Sequence, residues 1–157
     1  MRSTTWTTYH RRADVLRAVI EAADRRRDGV LPRDVPGVPE TFADDLDLVA
    51  ALQLRWHTRL SGAVERSLAA GDLGLEDAVV RAYRESAAQL PGVRRVLDVC
   101  VAEPGSERMR RALDKATRKE AAFLAAMAGR ASAQDAGAVP AGLALVRKAR
   151  EQEPAAA

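Results

Sequence analysis

Apolar residues return every three or four positions through most of this chain, which is the period of a helix rather than of a strand. The longest such run covers residues 41–70. At 100° per residue, Phe42, Leu46, Val49, Leu52, Trp56, Leu60, Ala63 and Val64 fall on one stripe. Asp44, Asp47, Arg55, Arg59, Glu65 and Arg66 fall mostly on the other side. Thr41 and Asp44 have the spacing of an N-cap and its N3 acid. Asp44, Asp45 and Asp47 put negative charge at the positive end of the helix dipole, and Gly71 suits the residue after the last turn.

The same period predicts a first helix from Trp6 to Arg27, with Tyr9, Ala13, Leu16, Val19, Ile20 and Ala23 inward and Ser3, Thr4 and Thr5 as caps. Residues 28–40 hold three prolines and two glycines and read as an ordered, extended connection pinned to the core by Val30, Leu31, Val35 and Val38. After the central helix, Leu75 to Leu90 forms a helix with Leu75, Val79, Ala82, Ser86 and Leu90 inward and Tyr83 flanking. Pro91 opens another that runs to about residue 103. It carries Val93, Val96, Leu97, Cys100 and Val101 on one face, with Arg94 and Arg95 pointing away. Ser106 caps a helix reaching about residue 128, striped by Met109, Leu113, Ala116, Phe123, Leu124 and Met127. The expectation is an all-α fold: a single-domain helical bundle of five to six helices over residues 1–128. Residues 129–157 follow as a small-residue linker, a weaker last helix with Leu143, Val146 and Ala149 on one side, and a frayed tail.

Composition narrows this. The chain has 157 residues, 47% of them apolar, but only two each of Trp, Tyr and Phe, so Ala, Leu and Val must build the core. Lys and Arg number 25 against 22 acids, a net charge of +3 that is too small for the footprint of a strong nucleic-acid binder. No apolar run approaches membrane-spanning length and no secretory leader is evident, which places the protein in the cytoplasm with no membrane partner. The one cysteine, Cys100, cannot form an intramolecular disulfide and reads as a small core residue. No residue pattern calls for a cofactor.

Three polar side chains break the apolar stripes. Gln53 lies inside the stripe of the central helix and His57 sits one turn on at its edge, where packing alone would place Leu or Ala. Glu120 interrupts the stripe of the fifth helix. A buried amide, imidazole or carboxylate must find partners or cost about 1–3 kcal/mol. Gln53 and His57 read as a satisfied core pair or as the wall of a ligand pocket. A metal site lacks a second ligand at recognisable spacing. His57 is the natural partner for Glu120 if that carboxylate does not reach solvent. His10, with Asp14 and Arg17 one and two turns on, reads as a solvated surface network.

The stretches TFADDLDLVAALQLRWHTRL and DLGLEDAVVRAYRESAAQLPGVRRVLD, preceded by RADVLRAVIEAADRR, together resemble the first helix and the ligand domain of TetR-type regulators. The resemblance covers about residues 11–128. It implies an all-helical ligand-binding and dimerisation domain. The family's helix-turn-helix has no counterpart here, because residues 28–40 cannot supply two helices. DNA binding is therefore not carried over.

These readings converge on a non-catalytic helical regulatory or interaction module. It is expected to be a homodimer that takes a small molecule or a protein partner, with a ligand site of Gln53, Trp56, His57, Tyr83 and Glu120. Two alternatives stand beside it. One is a TetR-like regulator binding DNA through Arg11, Arg12 and Arg25 to Arg27. The other is an enzyme using His57 and Glu120 as an acid–base pair.

Overall fold

The computed structural model describes residues 2–152; the expected frayed tail, residues 153–157, lies outside them. The fold is all-α, with seven helices and no strand among the described residues. In chain order they are α1 (Arg2–Arg26), α2 (Val38–Thr41), α3 (Asp45–Ala70), α4 (Leu75–Gln89), α5 (Pro91–Ala102), α6 (Glu107–Met127) and α7 (Ala138–Glu151). The count exceeds the five to six expected because residues 28–40 still close one turn. Gly37, at φ +90°, turns the chain into α2, and Pro39 suits the opening of a helix where no amide donor is required.

The start of α3 differs from the sequence reading for the same reason. Thr41 ends α2 instead of capping α3, and Phe42 is extended. The cap is Asp44, whose Oδ1 accepts from the Asp47 amide at 2.8 Å. At the first helix, Ser3, Thr4 and Thr5 lie inside α1 rather than before it.

The chain divides into two compact units. The first is Met1–Trp56 with Leu90–Met109, and the second is His57–Gln89 with Arg110–Ala157. Both α3 and α6 contribute residues to each.

In the first unit α1 packs on α5 and touches α2. The contact with α5 turns α1 away from its expected inward stripe. Val15, Val19, Ala22 and Ala23 are buried, whereas Tyr9 is 72% exposed and Ala13, Leu16 and Ile20 are half-buried. Gly92 sets the approach. A Cβ there would run into the Ala23 carbonyl, and its amide donates to Asp24 Oδ1 at 2.8 Å. Leu31, Val35 and Val38 are pinned as expected, but Val30 is exposed. On α5, Val93, Val96 and Leu97 are buried, Cys100 is half-buried and Val101 is exposed.

In the second unit α4 packs on α7. Val79, Ala82, Tyr83 and Ser86 are buried, while Leu75, expected inward, is exposed at the first turn of α4. The last helix is a full member of this unit. Ala138, Gly142, Leu145 and Ala149 are buried, and Leu143 and Val146 are half-buried. A Cβ on Gly142 would collide with the Ala121 carbonyl of α6, so α7 and α6 meet backbone to backbone. No helix of the described residues is long and apolar enough to cross a membrane.

Candidate functional site

The five residues singled out from the sequence fall in different units. Gln53 and Trp56 belong to the first; His57, Tyr83 and Glu120 belong to the second. Gln53 is half-buried on α3. Trp56 is fully buried, and the Arg94 guanidinium lies over its ring at 4.6 Å from the centroid. Asp98 holds Arg94 in place at 3.0 Å. Arg94, expected to point away, instead has its side chain only 14% exposed, because a cation gains by lying on the indole face while its stem covers apolar surface.

In the second unit, His57 is half-buried and meets Phe123 edge to face, with centroids 5.7 Å apart. No hydrogen bond of the His57 ring is seen among the described residues. Tyr83 is buried, and its hydroxyl accepts from Arg150 at 3.1 Å. Glu120 is buried on α6 and its carboxylate is not without a partner. Two other buried polar groups of this unit are closed by short contacts. Ser67 donates to the Ala78 carbonyl at 2.8 Å and accepts from Arg81 Nε at 3.1 Å, while Arg81 grips Asp72 with both terminal nitrogens. Ser86 donates to the Ala82 carbonyl one turn back.

None of the five lines a cavity of about 540 Å³ that lies wholly within the first unit. One wall comes from the connection after α1, through Leu31 and Arg33. A second is the N-terminal turn of α3, through Asp44, Asp45 and Leu46. The third is the end of α5 and the turn into α6, where Cys100, Glu103, Arg108 and Met109 face it. Pro104 ends α5 and Gly105, at φ +75°, reverses the chain. Ser106 then caps α6 by accepting from the Met109 amide at 3.1 Å. This turn is what carries Arg108 and Glu103 to the same opening.

The electrostatics of the cavity are set by two ion pairs. Arg33 reaches Asp45 with Nε at 2.6 Å and a terminal nitrogen at 2.7 Å, a bidentate fork. That fork holds the Asp45 carboxyl below the ordinary carboxylate range and raises the guanidinium in turn. Arg108 reaches Asp44 at 3.3 Å. Burial pushes the Cys100 thiol up, Arg33 pulls it back in part, and Asp45 adds to the rise. A raised thiol stays protonated at neutral pH and is a poor nucleophile. With Glu103 at the mouth, the lining holds three carboxylates against two guanidinia, over a floor of Leu31, Leu46, Pro104 and Met109.

Nothing in the spacing of the chain announces this cavity. Its charged residues read as solvated helix ends, and only the Pro104–Gly105 break and the acid run at Asp44 mark its edges. Among the described residues, no group of three or more His, Cys, Asp and Glu side chains could hold a metal ion. No protein-family model, no curated protein and no solved structure matches this chain.

Proposed function

We propose that the chain is a non-catalytic helical regulatory or interaction module, acting as a homodimer, that takes a small ligand in the cavity of its first unit. The observation that carries the reading is the cavity itself. At about 540 Å³ it falls within the size range of small-molecule sites, and it combines an apolar floor with a few placed charges. The ligand chemistry follows from the lining. Both guanidinia are already committed to Asp45 and Asp44, so the uncommitted charge is the exposed Glu103 carboxylate. A compact apolar body bearing an amine fits this arrangement better than a carboxylic acid does. The raised Cys100 thiol is a poor nucleophile, which favours binding over nucleophilic catalysis at this cavity. The stretches that resemble TetR-type ligand domains support a module of this kind, without that family's DNA-reading helices.

Thermal unfolding in the presence of small apolar amines and their matching carboxylates tests the proposal. Amines are expected to raise the midpoint and carboxylates to leave it unchanged. Glu103→Lys, at an exposed position, is expected to abolish the amine effect without loss of fold. An unchanged midpoint with both classes would sink the ligand reading.

A further inference from the structure

The start of α1 carries two aromatics, Trp6 and Tyr9, whose rings meet His10 edge to face, with centroids 3.9 and 6.1 Å apart, and otherwise stand open. Thr5 through Arg11 are all exposed on α1, and Trp6 and Tyr9 are 69% and 72% exposed. Trp56, Phe42 and Tyr83 are buried, so α1 holds the two Trp and Tyr residues that stand in solvent. Aromatics placed this way are the side chains that anchor protein interfaces. They continue a stripe along α1 through Ala13, Leu16 and Ile20. Beside that stripe runs an apolar groove of about 370 Å³. It is floored by Ala13 of α1 and Ala50 and Ala51 of α3, and edged by Tyr9, Leu16 and Leu54. Leu54 is 66% exposed. The only charges lining the groove, Arg12 and Asp47, neutralise each other at 2.9 Å.

The other flank of the stripe says what covers it. His10, Asp14, Arg17 and Glu21 recur at helical spacing, all four exposed, and alternate between donor and acid. Turned end for end, this row matches itself. His10 falls opposite Glu21, Asp14 opposite Arg17, Arg17 opposite Asp14 and Glu21 opposite His10. The apolar stripe inverts about the same turn of the helix, bringing Tyr9 opposite Ile20 and Ala13 opposite Leu16. A two-fold axis crossing α1 near residues 14–16 therefore satisfies both rows at once, which is the requirement of an isologous contact. A partner of unrelated sequence has no need of such a symmetric row.

We propose that this face of α1, with the Ala50–Leu54 edge of α3, is where a second copy of the chain docks with its own α1 antiparallel. The Asp14–Arg17 ion pair, 3.0 Å long within one helix, becomes half of a four-charge cluster with the same two residues of the second copy. Ala13 and Leu16 of the second copy meet Leu16 and Ala13 at the alanine-floored groove, and each Tyr9 packs toward the facing Ile20. This inference rests on the homodimeric part of the proposed function and is independent of the ligand cavity, whose lining shares no residue with it.

Sedimentation velocity of the full chain across the micromolar range, with circular dichroism as the check of fold, tests it. The wild type is expected to dimerise. Asp14→Arg, which places two arginines face to face, is expected to weaken the dimer by about tenfold or more. The swap Asp14→Arg with Arg17→Asp restores the opposition of charges and is expected to restore the dimer. Tyr9→Glu removes an aromatic anchor and is expected to give monomer. A wild type that stays monomeric throughout would overturn both this surface and the homodimeric reading. A dimer indifferent to Asp14→Arg and Tyr9→Glu would overturn the surface alone, and failure of the swap to restore the dimer would overturn the antiparallel register.

Discussion

The buried polar groups of the second unit and the cavity charges of the first are matched in different settings. In the second, polar groups on apolar helix faces are taken inside and matched there: Ser67 between the Ala78 carbonyl and Arg81, Ser86 on its own helix, and Tyr83 under Arg150. In the first, Arg33, Asp44, Asp45 and Arg108 pair in the open around a cavity and leave its floor apolar. The polar residues that break the apolar stripes and the charges that line the cavity are thus two different sets. A residue of the first set is buried by its helix and must be satisfied locally, whereas the open charges that could meet a ligand sit at helix ends and in connections.

The largest expected effect would break the comparison from the first unit's side. Trp56→Ala removes a fully buried indole and leaves Arg94 without its aromatic face, so a loss of about 3–5 kcal/mol is expected by chemical denaturation. A loss below about 1 kcal/mol would move Trp56 from the core to the lining of a site. Next comes Gly142→Ala. Its Cβ has no room against the Ala121 carbonyl, and a cost of about 3 kcal/mol is expected from the separation of α7 and α6.

Tyr83→Phe sharpens the account of the second unit. It removes the acceptor for Arg150 and keeps the ring, with an expected cost of about 1 kcal/mol in the same assay. A neutral result would mean that the hydrogen bond from Arg150 to Tyr83 adds nothing net. The smallest effect belongs to the cavity. Arg33 lowers the Asp45 carboxyl, so the pair contributes stability that is present above the unfolded carboxyl value of 3.8 and is lost as pH falls through the lower folded value. Both side chains are more than one-third exposed, so the effect stays below about 1 kcal/mol. Asp45→Asn is expected to remove that part of the acid dependence of the unfolding midpoint.

Much of the fold was legible in the residues. The long helix through Trp56, the Pro91 start of α5 and the Ser106 cap of α6 follow from local rules of period, proline and capping that act within a few residues. The inward faces were less legible. Tyr9, Leu75 and Val101 belong to stripes drawn correctly on a wheel and are exposed nonetheless, because a stripe is buried only as far as a neighbouring helix covers it. Arg94 shows the converse, a charge drawn inward by an indole. For the candidate site, Gln53, His57 and Glu120 were visible as anomalies. Arg33, Asp45 and Arg108 were not, since nothing at their own positions distinguishes them from surface charge.

Sequence alone therefore determined the secondary-structure class, the core's reliance on small and aliphatic side chains, and the places where the chain must turn. Period, proline and glycine act through the backbone of a few neighbouring residues and need no knowledge of the rest. Tertiary structure decided which stripes are covered, that residues 33, 45 and 108 surround one cavity, and that Trp6 and Tyr9 stand in solvent. Those outcomes depend on how closely helices approach, which here turns on single glycines such as Gly92 and Gly142 pressed against a facing carbonyl. The period of a helix carries no record of its neighbour.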